Sequence, residues 1–333
     1  MNVISASTGK LLALSMLKGV GPATLRMALN TADFVDAPIE AIARQVPRLA
    51  VAAQHISWSE ALAEAERQVE FAEKNEARIL SVLDADYPLL LKVIKDDPVM
   101  LFVKGCLPNK ADQSVAVIGT REPTKHGVMV AERVTQFLAE SGWSVVSGLA
   151  LGLDAVAHRT ALAAGGHTIA VLAHGLQTVA PLKHKALAQD ILDNGGALVS
   201  EYRFGVDPRP EFFVKRDRIQ AGLAQGVVMV QSDLRGGSLH ASRAALDYGR
   251  WLAVPEPTQR DRDNMEPKVQ ANALIASNDC AKIVELLTCA PADVRKIIVL
   301  RSREDYPKLL ALPSTVSESN VMRPAPPLFN EIE

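Results

Sequence analysis

The chain has 333 residues, 48% hydrophobic and 22% charged, with a formal net charge of −2 and a pI near 6.4. Such composition is ordinary for a globular protein and excludes wholesale disorder, and the length allows two or three domains. The slightly negative balance excludes a generally basic surface, so any nucleic-acid contact has to come from a local basic patch.

Residues 1–76 read as all helical. Leu11, Leu12, Leu14 and Leu17 fall on one helix, Gly19-Val20-Gly21-Pro22 breaks it, and Ala23 to Leu29 resumes. A helix, a Gly-x-Gly turn and a second helix resemble a helix-hairpin-helix or SAM-like unit. Its turn amides could meet a DNA phosphate, or the turn could be a plain corner between packed helices. A long polar helix, roughly Trp58 to Asn75, leads onward. Between Ile79 and Leu107 two short strands flank a Pro-bounded turn.

From residue 115 apolar runs recur with helical segments between them: Val115–Ile118, Trp143–Ser147, Thr168–Ala173, Ala197–Ser200, Val227–Gln231 and Trp251–Pro255. Runs without polar alternation suit strands buried on both faces. Their alternation with helices predicts an α/β fold with a mostly parallel sheet and helices on both faces. The small helical domain precedes it, the core spans 77–288, and 289–333 reads as a partly ordered, Pro-containing tail without a recognisable winged helix. Three scattered cysteines give neither a disulfide framework nor metal-ligand spacing. No run approaches the roughly 18 apolar residues of a membrane helix, and no signal peptide is evident. A reduced, cytoplasmic protein without a membrane partner is expected.

In such a sheet ligands sit beyond the carboxyl ends of the strands, so four loops carry the functional reading. The first is Gly119-Thr120-Arg121, a Gly turn between strand and helix that favours an anion. It has neither a dinucleotide fingerprint nor a Walker A sequence. The second holds Ser147, Gly148, Gly152, Asp154 and His158. Asp154 and His158 stand four apart on one helix face and are read as orienting the loop, since no nucleophile is spaced to join them.

The third runs from Arg209 to Ile219 and carries Phe212, Phe213, Lys215, Arg216, Asp217 and Arg218. Cations for phosphates beside rings for bases suit single strands, where stacking contributes roughly 1–3 kcal/mol per base. The competing reading is a helix start with Phe213 in the core and Arg216 paired to Asp217 or Glu211. The fourth runs from Gln231 to His240, where Arg235 and His240 border a second anion-friendly turn, Gly236-Gly237-Ser238.

Taken in order, these stretches resemble the DprA (Smf) family of DNA-processing proteins. The matching segments are Ala116–Arg121, Ser147–His158, Thr168–Leu172, Leu198–Tyr202, Arg216–Leu223 and Gly237–Leu239, and the likeness spans roughly 80–287. It implies an extended Rossmann-like fold, single-stranded DNA binding, a homodimer and loading of the RecA recombinase during natural transformation, without catalysis or a cofactor. It assigns strand contacts to Arg121, Phe213 and the Lys215–Arg218 segment; Gly119, Thr120, Ser147, Gly148, Arg209, Phe212, Gly237 and Ser238 complete the expected binding set. Asp154, His158 and Asp217 are expected to orient loops. Where the family usually has Asn between two arginines, Asp217 stands here, and Val214 replaces a common proline. Two other readings share the fold: a nucleotide sensor or phosphoribohydrolase, and a diverged member acting against foreign DNA. The former needs an acid or base beside its Gly-Gly turn, yet no carboxylate follows Gly237 before Asp247.

Overall fold

The computed structural model describes residues 3–313 apart from 32, 56–57, 109 and 111–112. The N-terminal helices are α1 (Ala6–Met16), α2 (Pro22–Leu29), α3 (Ile39–Gln45), α4 (Pro47–His55) and α5 (Trp58–Lys74). The Ser5 hydroxyl accepts from Thr8 N–H to start α1, and Gly21 with Pro22 starts α2. Leu11, Leu14, Leu17, Leu25, Phe34, Ile42 and Leu49 form a small core with Val99, while Leu12, Ala65 and Ala72 pack against the sheet with Ile79 and Phe102. The Gly19 turn lies at the surface. Polar ties between this helical region and the rest include Arg26–Asp97 at 2.9 Å and Ile79 N–H donating to Val3 O.

The remainder is one nine-stranded sheet of order β1-β2-β6-β5-β4-β3-β7-β8-β9. Its strands are β1 (Ala77–Ser81), β2 (Met100–Gly105), β3 (Ser114–Ile118), β4 (Ser144–Ser147), β5 (Thr168–Leu172), β6 (Ala197–Ser200), β7 (Gly226–Met229), β8 (Trp251–Pro255) and β9 (Ile297–Leu300). β1 and β6 each pair antiparallel to β2, and all other pairings are parallel. Every residue of β3 to β8 is buried, because helices cover both faces. The helices here are α6 (Leu89–Lys92), α7 (Lys125–Glu140), α8 (Leu153–Ala163), α9 (Lys185–Asp193), α10 (Pro210–Gly222), α11 (Ser238–Asp247), α12 (Gln259–Asp263), α13 (Gln270–Ala276), α14 (Cys280–Leu287) and α15 (Tyr306–Leu310).

Alternate strand residues feed opposite cores. Ala116, Ile118, Val146, Val171 and Met229 pack with Ile219, Leu239 and Ala245 of α10 and α11. Val115, Val117, Val145 and Val228 pack with Val134 and Leu138 of α7 and Ala157 of α8. The chain winds from β3 outward through β4, β5 and β6, then returns to β7 beside β3 and continues to β9. That reversal sets a crevice at the carboxyl ends of β3 and β7.

Ordered structure runs past the expected boundary at 288. β9 extends the sheet, and α15 packs on α7 through Phe137 and Tyr306, whose ring centroids are 5.8 Å apart. The proline-containing stretch from 314 lies outside the described residues.

Candidate nucleic-acid interface

Backbone crowding fixes the carboxyl edge of the sheet. A Cβ at Gly119 would lie 2.3 Å from Leu153 and 3.0 Å from Gln231 O. Gly152 adopts φ +76°, and a Cβ there would meet Thr120 O at 2.4 Å. Thr120 N–H donates to Gln231 O at 2.9 Å, and Leu153 N–H donates to Thr120 O. The loops after β3, β4 and β7 are therefore one interlocked unit. Gln231 adds a side-chain clasp: its amide accepts from Thr124 N–H and donates to the Thr124 hydroxyl that caps α7. Sequence reading placed Gln231 at the start of the fourth loop without giving it a role, although it is the first polar side chain after a buried strand.

The second loop is held from beneath by groups that never reach solvent. Asp154 accepts from Gly148 N–H at 3.1 Å and Ala150 N–H at 3.4 Å. His158 Nε2 accepts from Leu149 N–H at 3.3 Å, which leaves the proton on Nδ1, 2.8 Å from the Thr168 hydroxyl. Thr168 in turn donates to Val145 O. Burial, reinforced by Arg216, lowers the His158 pKa to about 3, so the ring is neutral and serves as an acceptor. Leu149 sits at φ +57°, a left-handed conformation unfavourable for a branched residue. It is held there by His158 on its N–H and by His184 Nδ1, 2.8 Å from its carbonyl. Asp154 and His158 thus clamp the loop separately; their spacing along α8 places both beneath it.

The third segment is a helix, α10, and its four cations have different fates. Arg209 and Lys215 are exposed. Arg216 is 3% exposed and donates to Gly148 O at 2.7 Å, to Val171 O and, through Nε, to Asp217 at 3.2 Å. Arg218 is held by Glu201 and lies 3.7 Å from Asp96. Arg216 therefore leaves the set expected to meet phosphates, because its charge is matched inside; Arg218 is paired with acids, with 22% of its side chain exposed. Gly148 leaves it too: a Cβ there would lie 2.0 Å from the Arg216 guanidinium, so the glycine makes room for that side chain. Ser147 is fully buried and donates to Val117 O. Asp217 turns inward to Arg216 with 16% of its side chain exposed, and burial raises its pKa to about 7.

What remains at the surface is a compact set. The Arg121 guanidinium lies over the Phe213 ring at 5.8 Å, joining the loop after β3 to the first turn of α10. Beside it Arg209 lies over Phe212 at 5.6 Å, and Tyr202 stacks on Phe212 at 4.5 Å with 28° between the planes. Tyr202 was not among the expected site residues; its position two residues past β6, on the same sheet edge, is the signal. Among the described residues no carboxylate forms an ion pair with Arg121, Arg209 or Lys215, whereas neighbouring Glu122 is taken by Lys268 at 3.1 Å. Gly237 is exposed and Ser238 bonds to the Ser232 hydroxyl, so the fourth turn is ordered around its own residues. Asp247, the first carboxylate beyond that turn, ends α11 on Lys95 at 2.6 Å.

Residues 78–288 match the family model described as DNA recombination-mediator protein A. The chain belongs to this family. Protein Smf of Escherichia coli strain K12 is 42% identical over 172 residues, covering 51% of this chain and 46% of that protein. DNA processing protein DprA of Streptococcus pneumoniae is 43% identical over 176 residues, 53% of this chain and 62% of the relative. The aligned region thus spans about half to two thirds of these relatives. The X-ray structure of the S. pneumoniae protein superposes with a TM-score of 0.68 at 27% identity, over 90% of this chain and 97% of that one. DNA processing protein A of Helicobacter pylori, whose structure describes a single-stranded DNA binding mode, shares the fold at TM-score 0.56 and 24% identity, over 71% of this chain and 96% of that one. Among the described residues no helix is long and apolar enough to cross a membrane.

Proposed function

We propose that this chain binds single-stranded DNA along the carboxyl edge of its sheet and acts as a recombination mediator, as a homodimer delivering single strands to the RecA recombinase in natural transformation. The observation that carries the DNA reading is the Arg121–Phe213 pair. A guanidinium resting on a ring offers a phosphate ligand and a base-stacking face side by side, which is what sequence-tolerant strand binding requires. Arg209, Phe212 and Tyr202 repeat the same chemistry one step along the edge, and exposed Lys215 adds charge. Membership of the recombination-mediator family supports the biological role. A nucleotide hydrolase reading gains nothing from the geometry, since Asp247 is engaged at the far end of α11.

The test is binding of labelled single- and double-stranded DNA across a salt series. Single strands are expected to bind more tightly, and Arg121→Ala is expected to weaken binding while reducing the salt slope by about one phosphate contact. Equal binding of duplex, or an unchanged slope in the variant, would overturn the strand-binding reading. RecA-dependent strand pairing on protein-coated DNA, with and without this chain, tests the mediator role.

A further inference from the structure

The last strand of the sheet brings the chain back onto α7 and builds a cleft there. Arg133, Gln136, Phe137 and Glu140 fall at i, i+3, i+4 and i+7 of α7, so they share one face of that helix. α15 packs against this face: Tyr306 and Leu309 enter the core that holds Val134 and Leu138, and the Tyr306 ring lies 5.8 Å from that of Phe137, tilted by 50°. Arg303 stands in the turn just before α15. Together Arg133, Gln136, Phe137, Glu140, Arg303 and Tyr306 line an open cleft of about 270 Å³, near the lower end of the range for small-molecule sites. No residue of the four carboxyl-edge loops lines it. Arg133 is eight residues beyond Lys125 at the start of α7, about 12 Å along the helix axis.

The charges of the cleft are unbalanced. Neighbouring cations are taken, Arg301 by Glu256 at 3.2 Å and Lys308 by Asp305 at 2.6 Å. Arg133 and Arg303 are exposed and form no ion pair among the described residues. The acid in the lining, Glu140, accepts instead from Gln136 Nε2 at 2.7 Å. Glu132 and Glu304 are exposed and do not line the cleft. Two guanidinium groups therefore flank a packed pair of rings, opposed by one carboxylate.

We propose that this cleft is a second ligand site, separate from the strand edge, which takes one nucleotide unit: the phosphate between Arg133 and Arg303, the flat base against the Phe137–Tyr306 pair. Guanidinium forks match the oxygens of a phosphate, and stacking on rings accepts any base. A bare inorganic anion would use the cations and leave the rings without a partner. The same unit is supplied by a strand that leaves the carboxyl edge along α7 or by a free nucleotide, and the experiment separates the two.

Wild type and the double variant Arg133→Gln/Arg303→Gln are titrated with thymidine monophosphate by calorimetry. Both are also titrated with labelled oligothymidylates of about 6 and about 20 nucleotides across a salt series. With a strand as the source, the double variant weakens only the longer oligonucleotide, and its salt slope falls by about 1.4, or 0.7 for each lost phosphate contact. With a free nucleotide as the source, wild type binds the monophosphate and the double variant does not. In either case Glu140→Gln, which removes the opposing charge and keeps an oxygen for Gln136, is expected to tighten binding. An unchanged long-strand slope together with no variant-sensitive binding of the monophosphate overturns the proposal. An equal loss for short and long strands also overturns it, because the cleft would then be part of the edge site. Variant-sensitive binding of polyglutamate without either nucleotide effect would assign the cleft to an acidic protein segment instead. If wild type binds the monophosphate here but no oligonucleotide, the strand-edge reading fails and this one stands. Melting temperatures of all variants are expected to match wild type, since the substituted side chains are exposed, so a loss of binding is not a loss of fold.

Discussion

The outward and inward sides of α10 make an instructive pair. Lys215 and Arg216 are adjacent in sequence and equal in charge, yet one is exposed and the other 3% exposed. Successive helical residues are about 100° apart around the axis, so neighbours in a basic run serve different environments. Outward, Arg121, Arg209 and Lys215 form no ion pair among the described residues, and two of them lie on aromatic rings. Inward, Arg216 and Arg218 are tied to carbonyls and acids. The outer cations are available to a ligand at little cost to the fold; the inner ones hold together the loops that present the outer ones.

The sharpest way to break this contrast is Arg216→Ala. Removal leaves Asp154 and Asp217 facing each other without their cation and strips a donor from Gly148 O and Val171 O. Breaking a buried pair in this way costs about 3–5 kcal/mol. Urea unfolding should show that loss as a lower midpoint, and a stability within error of wild type would mean that Arg216 is no structural tie.

A second test addresses the inner tier through pH. His158 is buried as a neutral acceptor with its pKa lowered to about 3, against an ordinary value of 6.5. A base whose folded pKa is depressed contributes stability that is present above the unfolded value and is lost as pH falls toward the folded one. Wild-type stability should therefore decline by a few kcal/mol between about pH 6.5 and pH 3. His158→Gln, which cannot charge, should start lower and decline less steeply. Parallel acid limbs for the two proteins would show that His158 is not the group being titrated.

Legibility in the sequence followed burial. The six apolar runs from Val115 to Pro255 correspond to β3–β8 because strands covered on both faces carry no polar alternation. β9 has a similar run, Ile297-Ile298-Val299-Leu300, but it is a half-buried edge strand outside the strand–helix rhythm. A four-residue apolar stretch alone does not distinguish strand from helix. Within the site, Arg121 and Phe213 could be picked out singly, since one follows a Gly turn and the other sits in a basic segment. Their meeting at 5.8 Å depends on where α10 starts over the sheet edge, which no local pattern encodes. The inward turn of Arg216 was foreshadowed by the alternative that paired it with Asp217; that Gly148 makes room for the guanidinium is visible only in the structure.

The smallest effect expected is also the most discriminating. Lys215→Ala removes an exposed cation with no ion-pair partner among the described residues, so stability should stay within about 0.5 kcal/mol of wild type. Its contribution to strand binding is that of a solvated point charge, without the stacked geometry of Arg121, and it should act through counterion release. The affinity loss should then be largest at low salt and vanish as salt rises, with a slope reduced by about one or less. A loss that persists at high salt would mean that Lys215 makes a desolvated contact, and the boundary between the outer and inner sides of α10 would have to be redrawn around it.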